Sequence, residues 1–269
     1  MYLDVNGNKT FYSTGSGTNR EGAPAIVFIH GAGMDHTVWV MPARHFARHG
    51  FNVVAPDLPG HGRSAGDLLT SIDAIADWIC ELISAAGLQD TTVVGHSMGS
   101  LVALNLAARH PNFASRLALL GTSTPMLVAD PLLDAARDNS HAAIDMANTW
   151  SHSRSAQMGG SEVPGMWMTG GGERLLERAG EDVFFTDLNA CNSFDNGAEL
   201  AQQVQCPSLV IIGKQDMMTA PVKSHKVAQA IPECRMIELE GCGHSMLSEK
   251  PDAVLNALKS IIQSPANAV

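Results

Sequence analysis

The stretch Thr91-Thr-Val-Val-Gly-His-Ser-Met-Gly-Ser100 leaves this chain few folds to choose from, because in it a β-branched run passes into a helical pattern through Gly-x-Ser-x-Gly. A serine carried on so tight a strand-to-helix turn forces the neighbouring backbone close, with no room for side chains at Gly95 and Gly99. If Ser97 heads a helix through Ser100-Leu-Val-Ala-Leu-Asn-Leu-Ala-Ala108, the Met98 amide and the positive helix end face the place where an acyl oxygen would gain charge. One turn then supplies a nucleophile and an anion-stabilising donor. Plain glycine turns produce the same pentapeptide, so its surroundings decide.

Those surroundings alternate. Tyr2-Leu-Asp-Val5 and Lys9-Thr-Phe-Tyr-Ser13 flank Asn6-Gly7, a tight hairpin signal. The apolar run Ala25-Ile-Val-Phe-Ile29 predicts a buried strand that stops at His30-Gly-Ala-Gly33. A helix through Met41 to His49, a strand Asn52-Val-Val-Ala55 and the turn-rich Pro56-Asp-Leu-Pro-Gly-His-Gly-Arg-Ser64 follow. Thr70-Ser-Ile-Asp73 reads as a capping box for a helix whose apolar face is Ile72, Ile75, Ile79, Leu82 and Ile83, ended by Gly87. Arg116-Leu-Ala-Leu-Leu120 is a further strand. From about Ser123 to Asn196 the strand pattern gives way to helical stretches, an inserted cap, and alternation resumes with Ser208-Leu-Val-Ile-Ile-Gly213, a helix from Pro221 to Ile231, Arg235-Met-Ile-Glu-Leu239 and a last helix from Pro251 to Gln263. Such alternation implies right-handed crossovers, a mostly parallel sheet and a ligand site at the carboxyl ends of the strands. We therefore expect an α/β core over 1–122 and 197–269 with a helical cap over 123–196.

The net charge of −10 is spread without a basic block, which argues against nucleic acid and anionic membrane as partners. The first residues lack the basic and apolar regions of a leader and no run reaches 18 apolar residues, so the expectation is a cytoplasmic protein, monomeric or homodimeric. Cys80, Cys191, Cys206, Cys234 and Cys242 are scattered with no Cys-x-x-Cys pair, indicating buried thiols rather than disulfides or a zinc site.

A serine nucleophile needs a base, and the base an orienting acid, both beyond strand ends later in the chain. Asp216 follows the strand 208–212 and His244 the strand 235–239, giving the chain order Ser97, Asp216, His244. With His30-Gly-Ala-Gly33, Asp57-Leu-Pro-Gly-His-Gly-Arg-Ser64, Gly95-His-Ser-Met-Gly99, Asp216 and Gly243-His244, the sequence resembles the α/β-hydrolase fold superfamily over nearly its whole length. The resemblance implies an eight-stranded sheet with a cap after the sixth strand. It also implies Ser97 as nucleophile, His244 as base, Asp216 as its partner, and an oxyanion hole of the Met98 and Ala32 amides. Aspartate-nucleophile relatives, which open epoxides or dehalogenate, do not fit Ser97. No metal or organic cofactor is required.

Other polar residues have plainer roles. His30 is expected to brace a loop, Asp57, His61 and Arg63 to fix one, His96 to be structural, Cys242 to be packing, and Asp187 and Asp195 to be solvated surface. Met126, Met146, Trp150, Met158, Met166, Trp167 and Met168 offer a soft apolar wall to a substrate or, equally, a core for the cap. Met126, Trp150 and Trp167 are taken as the substrate-binding candidates. The expected substrate is a small to medium, mainly apolar carboxylic ester or other acyl compound. Arg154, Arg174 and Arg178 leave open a carboxylate-bearing substrate, as for a lactonase or carbon–carbon bond hydrolase. Thioesterase and peroxidase chemistry, and a non-catalytic binding module, remain alternatives.

Overall fold

Runs of Val, Ile, Leu and Ala with no polar alternation can only be satisfied between two covered faces. They occupy that position in the computed structural model, which describes residues 1–163 and 165–262. Strand β1 (Tyr2–Val5) turns through Asn6-Gly7 into β2 (Asn8–Ser13), and β3 (Ala25–Ile29) follows. A 3-10 turn His36–Trp39 leads to α1 (Val40–Arg48), then β4 (Asn52–Pro56), α2 (Ile72–Ala85), β5 (Thr91–His96), α3 (Met98–Arg109) and β6 (Arg116–Leu120). The sheet order is β1-β2-β4-β3-β5-β6, completed by β7 (Ser208–Gly213) and β8 (Arg235–Leu239). Only β2 runs against its neighbours; β4, β3, β5, β6, β7 and β8 are mutually parallel. Every residue of β3 to β7 is buried.

Between β6 and β7 lie α4 (Asp130–Arg137), α5 (His141–Ser151), α6 (Arg154–Gln157), α7 (Met168–Glu177), α8 (Val183–Asn192) and α9 (Gly197–Ala201). The helical stretch thus runs past Asn196, where the sequence pattern suggested its end. After β7 come α10 (Pro221–Ala230), and after β8 α11 (Met246–Glu249) and α12 (Pro251–Ile262). Gln263, the expected last helical residue, lies outside the described residues.

One face of the sheet packs on α2, α3 and the helical stretch, the other on α1 and α12. The predicted stripe of α2 is buried, but its cap is one residue later than expected. Ser71 Oγ accepts the Ala74 amide at 3.2 Å, and Thr70 stands outside the helix. Helix α3 is buried on all sides from Met98 to Ala108, which fixes the axis on which Ser97 sits. Among the described residues no helix is long and apolar enough to cross a membrane.

Register puts the strand ends in line. Ile29 pairs with Gly95, His96 with Leu120, Leu120 with Ile211 and Gly213 with Leu239. The residues that follow, His30, Ser97, Gly121, Asp216 and His244, therefore leave the sheet along one edge.

The opposite layer depends on aromatic packing: Phe28, fully buried, stacks on Trp39 at 4.9 Å between ring centroids. Phe28→Ala should cost about 3–5 kcal/mol, lowering the melting temperature by roughly 10 °C in a scan of the purified protein.

Candidate active site

The turn between β5 and α3 is built by close approach. A Cβ on Gly95 would stand 2.0 Å from the Gly99 carbonyl oxygen, and one on Gly99 2.3 Å from that of Ile29. Between them Ser97 has φ 54° and ψ −122°, strained for a residue with a side chain and costing about 1–3 kcal/mol. The strain is held by its neighbours. Ser97 N donates to Leu120 O at 2.9 Å, and Ser97 O accepts Ser100 N at 2.8 Å and Ser100 Oγ at 2.6 Å.

Asp216 and His244 meet two strands away. Asp216 Oδ2 accepts from His244 Nδ1 at 2.7 Å and from Thr219 Oγ1 at 2.7 Å, while Oδ1 accepts the amides of Met218 and Thr219 at 2.9 and 2.7 Å. Burial alone would raise the carboxyl pKa, but the His244 charge and these hydrogen bonds outweigh it and hold Asp216 below the ordinary carboxylate value. With Nδ1 committed to Asp216, His244 presents Nε2, which is buried and makes no hydrogen bond to any described residue. Ser97 is tied to this pair on two sides. Gly121, next to the carbonyl that holds Ser97, lies against the imidazole, where a Cβ would fall 2.9 Å from Cε1. His96 Nε2 donates to His244 O at 2.9 Å. Thr219, which bonds Asp216, lines a cavity with Ser97. The Asp216–His244 hydrogen bond is thus formed, His244 Nε2 has no partner among the described residues, and the residues next to Ser97 and next to its Leu120 partner touch this pair.

The loop after β3 is braced as its glycines and histidine suggested. His30 Nδ1 donates to Gly31 O at 2.9 Å and its Nε2 accepts Leu58 N at 3.2 Å. Asp57 accepts the amides of His36 and Arg63 and the His36 ring at 2.7–2.9 Å, fixing the loop as expected. Asp187 departs from expectation. Rather than solvated surface it is 1% exposed on α8, where Oδ2 accepts both Gly33 N and His61 Nε2 at 2.8 Å. Phe184 and Leu176 crowd Gly33 there, and the buried carboxylate is satisfied by these two donors. His61 also donates Nδ1 to Pro59 O at 2.9 Å, so both ring nitrogens face acceptors; burial works against the charged ring, yet the Asp187 charge and hydrogen bonds raise its pKa. Asp195 is exposed, and Cys242 is fully buried with its thiol pushed up by burial.

Ala32, Ser97, Met126 and Trp150 share a cavity of about 110 Å³ with Leu188, Met218 and Thr219. The Met98 side chain is fully buried under the turn. Trp167 does not reach that cavity. It is 68% exposed, its indole covers Gly170, and it lines a different cavity of about 500 Å³. Met158 is exposed, and so are Arg154, Arg174 and Arg178, of which Arg178 pairs with Asp35 at 2.7 Å. Sequence reasoning missed Thr219 and Glu249, and took Asp187 for surface. Glu249 is buried and accepts Gly243 N and Ser153 N, pinning the loop before His244 to the end of α5. Only Thr219, three residues after Asp216, carried a local signal, the side-chain-to-backbone turn that Asp favours. Asp35, His36 and Asp57 form one carboxylate–imidazole group compact enough for a metal ion, but His36 Nδ1 already donates to Asp57.

A sequence profile described as the alpha/beta hydrolase family matches residues 26–257. The chain belongs to this family. It is 25% identical over 274 residues to (E)-2-((N-methylformamido)methylene)succinate hydrolase of Acinetobacter baylyi, covering 97% of each chain. It is 28% identical over 257 residues to the pimeloyl-acyl-carrier protein methyl ester esterase of Chromobacterium violaceum, covering 86% of this chain and 91% of the relative. The enol-lactonase of Burkholderia xenovorans LB400 has the same fold, with a TM-score of 0.86, 24% identity, and coverage of 98% of this chain and all of the other.

This hydrolase keeps two buried imidazoles neutral. Burial, aided by the nearby His61, lowers His30 to about 4, and burial with His244 lowers His96 to about 3. An unfolded chain binds protons at these positions from pH 6.5 downward while the native one does not, so stability falls as pH drops from about 6.5 to 4. His30 accounts for about 3 kcal/mol of that loss. A melting series from pH 7 to 4.5 should therefore slope more steeply for the wild type than for His30→Gln; equal slopes would contradict the neutral state of His30.

Proposed function

We propose that this hydrolase cleaves carboxylic esters through an acyl-enzyme, with Ser97 as nucleophile, His244 as general base and Asp216 as the group that orients it. The observation that carries this is the Asp216–His244 hydrogen bond, which leaves a buried Nε2 without a partner beside the Ser97 turn. Nδ1 donates to Asp216, so Nε2 of the neutral ring has the lone pair a base needs. The missing hydrogen bond to Ser97 is compatible with a resting site, where such contacts often tighten only with substrate.

In the proposed cycle His244 Nε2 takes the hydroxyl proton as Ser97 Oγ attacks the acyl carbon. The amides of Met98 and Ala32 receive the oxyanion, each worth about 3 kcal/mol of barrier. His244 then protonates the departing alcohol, and water activated by the same ring releases the acid. Residues 123–196 act as a cap whose Met126, Trp150 and Leu188 face the acyl group. That cavity, about 110 Å³, is well below the roughly 300–1,000 Å³ of sites for larger ligands. It favours short acyl chains. The likeness to a methyl ester esterase supports an ester as substrate.

A fluorophosphonate probe should label the wild type and not Ser97→Ala, and Ser97→Ala should lose p-nitrophenyl acetate turnover. Asp216→Asn should lower kcat by about four orders of magnitude through the wrong imidazole tautomer. Labelling of Ser97→Ala would refute the nucleophile, and a wild type that binds esters without turning them over would make the protein a binding member of the fold. Across p-nitrophenyl esters from acetate to octanoate, kcat/KM should fall with length; a rise would remove the 110 Å³ cavity as the acyl site.

A further inference from the structure

The backbone around His244 is held by hydrogen bonds to four other segments. Cys242 O accepts Gln215 N at 2.8 Å, Gly243 N donates to Glu249 Oε1 at 3.1 Å, His244 O accepts His96 Nε2 at 2.9 Å, and Ser245 N donates to Ser151 O at 2.8 Å. Two of these bonds join backbone to backbone. The other two are made by side chains, and they come from different places. His96 reaches the loop from the residue beside Ser97, while Glu249 ties it to the helical stretch between β6 and β7.

Glu249 closes α11 and is 4% exposed. Its carboxylate makes no ion pair among the described residues, and the adjacent Lys250 pairs with Glu162 instead. A charge buried without a counter-ion is costly unless donors are arranged for it. The donors here are two amides far apart in the chain, Gly243 N and Ser153 N, the second lying 3.2 Å from Oε2 and 3.4 Å from Oε1. One leads directly into His244, and the other caps the start of α6 just after α5 ends. The two segments also touch. A Cβ on Gly243 would stand 2.6 Å from Ser153 N and 2.8 Å from both Ser151 O and Glu249 Oε1.

The His244 ring itself is restrained at Nδ1, by Asp216 at 2.7 Å and by Thr219 at 3.3 Å. Both restraints act on one nitrogen, so the opposite nitrogen, Nε2, still moves with the backbone that carries the ring. Its distance from the Ser97 turn is therefore set by where the loop 242–245 lies. A misplacement of about 1 Å at such a site costs about 100-fold in rate.

We propose that Glu249 is a positioning residue for the base: by accepting Gly243 N and Ser153 N on one carboxylate, it makes the place of His244 conditional on the seating of the residues that end α5. The proposal deepens the acyl-enzyme reading above and rests on it. The acceptor oxygens do this, not the negative charge.

Three variants separate acceptor from charge. Glu249→Gln keeps an oxygen at Oε1, within 3.1 and 3.4 Å of the two amides. Glu249→Asp keeps the charge but withdraws it by one methylene, and Glu249→Ala has neither. With p-nitrophenyl acetate, at a temperature where each variant is folded by circular dichroism, Glu249→Ala and Glu249→Asp should lose about 30- to 100-fold in kcat with KM changed by less than about threefold, while Glu249→Gln stays near the wild type. Hydrogen exchange of Glu249→Asp should show the Gly243 and Ser153 amides losing protection together. Phe28→Ala, destabilised in the opposite layer, should keep the wild-type kcat while folded, which separates positioning from lost stability. Wild-type kcat in folded Glu249→Asp overturns the proposal, as does a loss confined to KM. So does a Glu249→Gln as impaired as Glu249→Asp, which would assign the effect to charge. Where Glu249→Ala does not fold, the comparison of Asp with Gln decides. Failure of the underlying reading shows separately, as turnover of p-nitrophenyl acetate by Ser97→Ala.

Discussion

Backbone packed against backbone at Gly95 and Gly99 is the constraint on which the site depends. The absence of side chains there lets β5 reverse into α3 within one residue, and the reversal puts Ser97 in a conformation that an ordinary turn would not hold. Its amide is tied to Leu120, the next residue is a glycine that admits the His244 ring, and the preceding residue, His96, holds the His244 carbonyl from behind. A single tight turn thus sets the position of groups supplied by three other strands.

Around this turn the interior handles charge in two ways. Carboxylates at Asp57, Asp187 and Asp216 are buried but surrounded by donors, and each is matched to an imidazole. Imidazoles at His30 and His96 make no hydrogen bond to an acid, and burial, aided by a neighbouring imidazole, keeps them uncharged.

Much of this was legible in the sequence because it depended on local pattern. The hairpin at Asn6-Gly7, the uninterrupted apolar strands and the amphipathic face of α2 are statements about neighbours in the chain, and the strand ends carried Ser97, Asp216 and His244 to one rim. What was not legible depended on contacts between distant segments. Asp187 reads as a surface residue in its own helix, since nothing near it announces that Gly33 N and His61 lie opposite. Glu249 has the same character. Trp167 was misleading in the other direction: a large aromatic in an apolar segment suggests burial, but the indole lies over Gly170 at the surface, and Trp150 takes the interior place. The cap of α2 shifted by one residue because Thr70 and Ser71 are equally good acceptors, and only the helix start chooses between them.

The bond from Gly33 to Asp187 has a consequence for how such molecules diversify. Because a carboxylate from α8 anchors the strand-end loop that carries Ala32, the helical insertion is not an interchangeable module set on a finished core. Grafting the corresponding helices from a relative would remove the acceptor for a buried amide and for His61 together, unless the graft carried an acid at the matching place. Met126 and Trp150, which line the smaller cavity without holding that loop, are free of this constraint.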